Sequence, residues 1–382
     1  MDSPDQGAKG IPVQVERPDS SRLIIRIPSI DAEYQGRLTG EQIDGTFTQH
    51  AVPFPLTLTQ KAQKPNRPQT PLPPFPYTRE DVAFTNGDAV LKGTLTLPEG
   101  YSRETPVLLM VSGSGWQNRD EEIFEHRPFA VIADAFARAG IATLRYDDRG
   151  FGESTGDIIH CTTEDLKNDA LAGIKLLRDR FDRVGIIGHS EGGTIAMMLA
   201  AENRTDFIIS LAGMAVSGKE TLIRQNQCAL EQAGYPEKTI DTYCHLLSEA
   251  FDAVRNGRPM PDAEKQELPD ELKQNYKAVL MQLQLPYLSY FISLDMRPVL
   301  GRISCPVLAF NGTKDAQMSY KENLDALRQG LPMNVKNRIE VAEGMNHLFQ
   351  HSPTGNISEY RDIEETFAPE VIEDMVLWIR SL

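Results

Sequence analysis

The sequence predicts a doubly wound α/β domain with a mostly parallel sheet and a helical insertion, preceded by a small β-rich module. Three observations carry that expectation. Short, continuously apolar runs recur through the second part of the chain, helix-like stretches alternate with them, and a proline-rich segment separates this alternation from a stretch of strand patterning with glycine punctuation.

The β-rich module is placed at residues 1–60. Within it Arg22–Pro28 (RLIIRIP), Tyr34–Leu38 and Thr46–Thr48 read as short strands, with Gly36, Gly40 and Gly45 as turns. Residues 61–76 hold six prolines in sixteen positions, which disfavours helix and central strand and reads as an extended linker. The domain at 77–382 follows. Val107–Ser112, Ile141–Tyr146, Val184–Gly188, Phe207–Ala212 and Val307–Asn311 have the unbroken apolar character of strands buried on both faces. Helices are expected at Phe129–Ala139, at Glu164–Arg180 with Thr162 or Thr163 as cap, and at Gly192–Glu202. Residues 214–298, rich in Gln, Glu, Leu and Tyr and helical by pattern, interrupt the alternation between two strands. An insertion after the carboxyl end of a strand lands beside the ligand crevice of such a sheet and reads as a cap, the plainer alternative being a structural helical layer.

Composition excludes several function classes. The 382 residues carry a net charge of −15 and no cluster of Lys and Arg, which argues against nucleic-acid binding. No apolar run is long enough to span a membrane, and Met1–Lys9 is polar, without the apolar core of a secretory signal. The four cysteines, Cys161, Cys228, Cys244 and Cys305, are too scattered for a disulfide framework or a zinc site; Cys228 and Cys244 alone could pair.

The chemistry-bearing signal is Gly188-His189-Ser190-Glu191-Gly192, a G-x-S-x-G string between a predicted buried strand and a predicted helix. A sharp strand-to-helix turn presents a serine in a strained conformation at a helix N-terminus, and the flanking glycines remove side chains that would collide with neighbouring backbone. A serine hydroxyl needs a base and an acid, in this chain order an acid and then a histidine. Asp315, in Asn311-Gly312-Thr313-Lys314-Asp315, follows the last apolar strand, and His347 follows the strand-like run Arg338–Val341. His189 is buried by pattern, and of the seven histidines only His351 rivals His347. The Glu191 N–H and, from the loop Ser112-Gly113-Ser114-Gly115-Trp116, the Ser114 N–H are the expected oxyanion-hole donors. That loop matches neither phosphate-binding glycine pattern.

The segments SGSGWQNRD (112–120), LRYDDRGFGES (144–154), GHSEGG (188–193), NGTKD (311–315) and GMNHLF (344–349) together resemble the α/β-hydrolase superfamily, in its branch of bacterial carboxylesterases related to serine-aminopeptidase-like hydrolases. Asp148-Arg149-Gly150-x-Gly152-x-Ser154 is similar to the D-x-R-G-x-G-x-S turn that helps shape the site in many of these enzymes. Many relatives have His-Gly where this chain has Ser112-Gly113. Residues 20–60 resemble the later part of a β-module that precedes some of these hydrolases, where further strands and often a secretory signal come earlier. The resemblance implies an extracytoplasmic setting.

The expected function is hydrolysis of carboxylic esters with short-chain or aromatic acyl groups, through an acyl-enzyme on Ser190, with His347 as base and Asp315 as its partner. Trp116 and, in the insertion, Tyr287, Tyr290 and Phe291 are the candidate substrate contacts. The scheme requires no metal or cofactor, and the expected partner is a small-molecule ester. The same triad would serve an aminopeptidase or thioesterase, since the pocket selects the bond. Glu220, Glu231, Glu249 and Asp252 of the insertion are the carboxylates an aminopeptidase could use. A different class of reading is a non-catalytic binding protein with a relic elbow.

Overall fold

The apolar runs that alternate with helices become the centre of an eight-stranded sheet. The computed structural model describes residues 11–30, 32–49, 52–59 and 65–382, and the polar stretch Met1–Lys9 lies outside them. The chain divides into two compact units, residues 1–66 with 123–125, and the remainder.

The smaller unit is an antiparallel meander of β1 (Gln14–Glu16), β2 (Arg22–Ile27), β3 (Ala32–Thr39), β4 (Gln42–Gln49) and β5 (Val52–Thr59). Of the glycines expected as turns, Gly40 occupies one, with φ +67°. Gly36 and Gly45 do not: they sit opposite each other inside β3 and β4. The reason is Tyr34, whose ring lies over them. A Cβ on Gly36 would come within 2.4 Å of the phenol oxygen and one on Gly45 within 2.6 Å. The hydroxyl donates to the Ile43 and Leu56 carbonyls at 2.8 and 3.1 Å, so an aromatic side chain fills the slot that two cross-strand glycines leave.

In the larger unit β6 (Thr78–Asn86) and β7 (Ala89–Leu97) form a hairpin, followed by β8 (Val107–Val111), β9 (Ala142–Tyr146), β10 (Val184–His189), β11 (Phe207–Leu211), β12 (Val307–Gly312) and β13 (Arg338–Ala342). The order is β13-β12-β11-β10-β8-β9-β7-β6, parallel from β13 to β9 and antiparallel at the hairpin. Every residue of β8 to β12 is buried, as the unbroken apolar runs require.

Helices α1 (Pro128–Arg138), α2 (Thr163–Arg178), α3 (Glu191–Ala201) and, later, α9 (Tyr320–Gly330) and α10 (Pro369–Ser381) cover the sheet. Thr162, not Thr163, caps α2, in a reciprocal box with Asp165. The chain leaves β8 in one direction through α1 to β9, then crosses back through α2 to β10. With right-handed crossovers α1 and α10 lie on one face and α2, α3 and α9 on the other. The reversal falls between β8 and β10, so the loops after these two strands meet at the crevice such sheets use for ligands.

Between β11 and β12 come α4 (Gly218–Gln232), α5 (Glu237–Asn256), α6 (Asp270–Gln282), α7 (Pro286–Ser293) and α8 (Arg297–Leu300). The first four share their own apolar cluster, with Tyr243, Leu247, Phe251, Tyr276 and Ile292 almost fully buried. Phe291 is 5% exposed and packs into the main core, with its ring 6.3 Å from that of Tyr287. All four cysteines are free thiols, so the pairing of Cys228 with Cys244 is not made. Among the described residues no helix is long and apolar enough to cross a membrane.

The proline-rich segment departs from the linker expectation. From Arg67 onward it belongs to the larger unit. The Arg67 guanidinium donates to the Ile363 and Arg361 carbonyls at 3.0 and 2.7 Å, and Gln69 donates to the Phe367 carbonyl at 2.7 Å. Extended backbone leaves such side chains free to donate to a neighbouring loop.

One buried ion pair holds the turn after β9 in place. Arg149 bonds Asp169 of α2 through two contacts of 2.7 and 2.6 Å, with side chains 9% and 1% exposed. Asp169→Ala strands the guanidinium in the interior and is expected to cost about 3–5 kcal/mol of unfolding free energy. Urea unfolding measures it, and a loss under about 1 kcal/mol would show that the pair does not anchor the turn.

Candidate active site

The residue after β10 is Ser190, with φ +53° and ψ −119°, and α3 begins at the next residue. A non-glycine residue held there stores about 1–3 kcal/mol of strain. Contacts on both sides enforce it. A Cβ on Gly192 would fall 2.0 Å from the Val111 carbonyl oxygen, and one on Gly188 would fall 2.0 Å from the Gly192 carbonyl oxygen. Only glycine at both positions allows the elbow to close against the end of β8. The Ser190 amide donates to the Leu211 carbonyl at 2.8 Å, and the Ser190 carbonyl accepts from Gly193 at 3.0 Å.

The loops after β12 and β13 bring Asp315 and His347 together. Asp315 Oδ2 lies 2.8 Å from His347 Nδ1, with side chains 0% and 5% exposed. Asp315 Oδ1 accepts from the Gln317 and Met318 amides, both at 2.8 Å, so the carboxylate is oriented by its own loop. Asn346 shapes the other loop by accepting from the Leu348 and Gln350 amides, each at 3.0 Å. The loops are stitched to each other where the Lys314 amide donates to the Met345 carbonyl and the Gly344 amide to Thr313 Oγ1. His351, the rival, is half-exposed and paired with Glu365 and Glu370 at 3.0 and 3.1 Å.

The loop after β8 runs beside the elbow, and a Cβ on Gly113 would fall 3.0 Å from Ser190 Cβ. Neither the Ser114 nor the Glu191 amide has a hydrogen-bond partner among the described residues, which leaves both N–H groups available. Three successive residues of this loop are each held by a different buried carboxylate. Ser112 Oγ donates to Asp148 at 2.9 Å, the Gly113 amide to Glu121 at 2.7 Å and Ser114 Oγ to Glu191 at 2.9 Å. The Ser112 hydroxyl thus has a partner in Asp148.

Glu191 also accepts from Thr163 Oγ1 at 2.6 Å and from the Tyr287 hydroxyl of α7 at 2.5 Å, tying the helical insertion to the residue after Ser190. Tyr290 donates to Glu164 at 3.1 Å. Trp116 is 62% exposed. A cavity of about 610 Å³ between α4 and α9 begins two residues beyond Asp315, at Gln317, and is walled by Thr221, Arg224 and Asn323 without either Ser190 or His347. Glu121, which holds Gly113, escaped sequence reading because the motif ends at Asp120, and only the structure reveals the fold of its loop.

Burial governs the electrostatics of this acidic cradle. It pushes Asp148 up to about 8, with the charges of Glu121 and Glu191 adding to the effect, and it raises Glu191 as well. A carboxyl raised above its ordinary 3.8 holds a proton in the folded chain that the unfolded chain releases. Its contribution therefore favours the fold at low pH and is lost as pH climbs from about 4 to about 8. Asp148→Asn cannot ionise, so its stability relative to the native protein should rise steadily between about pH 5 and about pH 8. Thermal unfolding across that range checks this, and a constant difference would contradict it.

Comparison with known proteins supports the fold seen here. Residues 86–339 match the family described as X-Pro dipeptidyl-peptidase (S15 family). Esterase EstD of Thermotoga maritima is 26% identical over 281 residues, covering 72% of this chain, and the match spans 61% of that protein's length. Among solved structures, Pyrococcus furiosus esterase Pf2001 is 15% identical with a TM-score of 0.50, covering 84% of this chain and 99% of that one. Hypothetical protein PA2218 from Pseudomonas aeruginosa is 15% identical with a TM-score of 0.51, covering 85% and 98%. The parallel sheet with its elbow after β10 is an α/β-hydrolase fold, and with a family match over well more than half of its length the chain belongs to the X-Pro dipeptidyl-peptidase (S15) family.

Proposed function

We propose that the protein is a serine hydrolase that cleaves carboxylic esters of short-chain or aromatic acids through an acyl-enzyme. The observation that carries this reading is the strained Ser190 at the N-terminus of α3, at the same sheet edge as the hydrogen-bonded His347–Asp315 pair. Its relative from Thermotoga maritima, named an esterase, supports it.

In this scheme Ser190 Oγ attacks the ester carbonyl while His347 Nε2 takes its proton, and the proton passes to the leaving alcohol as the acyl-enzyme forms. Water then attacks the acyl carbon, His347 takes a proton from it, and the acid leaves as Ser190 regains its proton. Asp315 holds Nδ1–H of His347, which fixes the tautomer and stabilises the imidazolium. The amides of Ser114 and Glu191 receive the developing oxyanion, aided by the positive end of α3. Trp116, Tyr287 and Tyr290 are the proposed substrate-facing aromatics, two of them on α7.

A peptidase reading has the family's description in its favour. Recognition of a free amino terminus calls for a carboxylate without a partner of its own. The four acids considered for that task are engaged: Glu220 with Arg297, Glu231 with Gln227, Asp252 with Lys219 and Glu249 near His245. This favours esters over aminoacyl peptides.

A panel of acetyl, butyryl, octanoyl, feruloyl and aminoacyl esters, with an acyl thioester beside it, ranks the alternatives. Ser190→Ala is expected to lower kcat by about 10⁶-fold, and Asp315→Asn by about 10⁴-fold. Equal turnover by native protein and Ser190→Ala would overturn the assignment, as would a lack of Ser190 labelling by a fluorophosphonate, the outcome for a relic elbow.

A further inference from the structure

Two buried ionisable side chains lie among the proposed reacting groups without a part in the acyl transfer. Glu121 is 4% exposed and its backbone has φ +52°; His189, the residue before Ser190, is 6% exposed. Glu121 Oε1 accepts from the Gly113 amide at 2.7 Å and lies 2.9 Å from His189 Nδ1. The other ring nitrogen, Nε2, lies 2.9 Å from the His347 carbonyl oxygen.

Both nitrogens of His189 therefore face acceptors. A neutral imidazole has a single N–H, so one of the two contacts would set lone pair against lone pair in a dry interior. A protonated ring satisfies both. A proton on Glu121 Oε1, donated to Nδ1 of a neutral ring, is the competing arrangement, and the Gly113 amide opposes it by donating to that same oxygen and so favouring the charged carboxylate. Burial alone would push the imidazole down, but the Glu121 charge and hydrogen bond, with the His347 carbonyl, outweigh it and hold His189 above its ordinary value.

We infer that Glu121 and His189 form a buried ion pair that positions the proposed reaction, joining the oxyanion loop at Gly113 to the main chain of His347 through the residue next to Ser190. This rests on the serine-hydrolase reading. The chain of contacts runs from the Gly113 N–H to Glu121, from His189 to Glu121, and from His189 to the His347 carbonyl, so the loops after β8, β10 and β13 share one register. The link is close-fitting: a Cβ on Gly113 would meet Ser190 Cβ at 3.0 Å and Glu121 Oε1 at 3.3 Å. The His189 and His347 rings are 4.7 Å apart between centroids. Because Glu121 neutralises His189, His347 can acquire charge during turnover without an uncompensated cation beside it.

Nitrogen-15 spectra of histidine-labelled protein at about pH 8, where an ordinary imidazole is neutral, test the pair directly. One ring is expected to carry protons on both nitrogens, and that signal should vanish in His189→Gln. Glu121→Gln keeps an acceptor for Gly113 but removes the charge, so His189 should become neutral and kcat on a p-nitrophenyl ester should fall by about 10²-fold with KM little changed. A neutral His189 in the native protein, or an undiminished kcat in folded Glu121→Gln, overturns the inference. If Glu121→Gln does not fold, the native ring signature decides. An active native protein with a neutral His189 defeats only the pair, whereas a native protein without ester turnover or Ser190 labelling defeats the positioning role together with the hydrolase reading.

Discussion

The contact on which the site depends is between backbone and backbone: the end of β8 against the first turn of α3. The Val111 carbonyl approaches Gly192 so closely that a single methyl group there would fall 2.0 Å from it. That approach sets the loop after β8 beside Ser190 and so determines where two free amides lie relative to the hydroxyl. It also confines Ser190 to a positive φ, whose cost of about 1–3 kcal/mol is small beside the burial of five fully enclosed strands. The strain is tolerable because β10 is paired on both sides, with β8 and β11, and cannot relax toward either.

An acidic cradle follows from the same geometry. A loop pressed against an elbow has little room for side chains of its own, so its polar groups must find partners from neighbouring elements, and here Asp148, Glu121 and Glu191 supply them. Buried carboxylates are costly without donors. Each is handled differently: Glu191 accepts from three hydroxyls, Glu121 faces an amide and a histidine, and Asp148 is driven toward its neutral form. The turn after β9 absorbs the charge around them. Arg145 of β9 pairs with Asp120 and Asp147 with Arg119, which anchors the segment that carries Glu121, while Arg149 pairs with Asp169 of α2.

The parallel strands and the elbow were legible because their signals are local. An unbroken apolar run of strand length has few other uses, and G-x-S-x-G between a strand and a helix specifies its own turn. The proximity of Asp315 and His347 was legible for a topological reason: both follow neighbouring parallel strands and so emerge at one edge. The misreadings arose where tertiary contact decides. Gly36 and Gly45 read as turns until Tyr34 explains why a strand would omit two side chains. The β6–β7 hairpin carries a readable Gly87-Asp88 turn signal, but its strands lack the unbroken apolar runs of the strands that follow. No spacing announces Glu121, since its partners lie 8 and 68 positions away.

The helical insertion holds what the proposed triad leaves open. The reacting groups are indifferent to whether an ester, a thioester or an amide is presented, so selectivity has to come from surfaces that contact the rest of the substrate. The insertion reaches the residue after Ser190 through a short bond, from the Tyr287 hydroxyl to the carboxylate of Glu191, whose own amide is a proposed oxyanion donor. Side chain and main chain of one residue thereby face different tasks: the carboxylate accepts from the Tyr287 and Ser114 hydroxyls, and the amide is left for the proposed oxyanion. A substrate large enough to displace Tyr287 would disturb the partner of Ser114 as well.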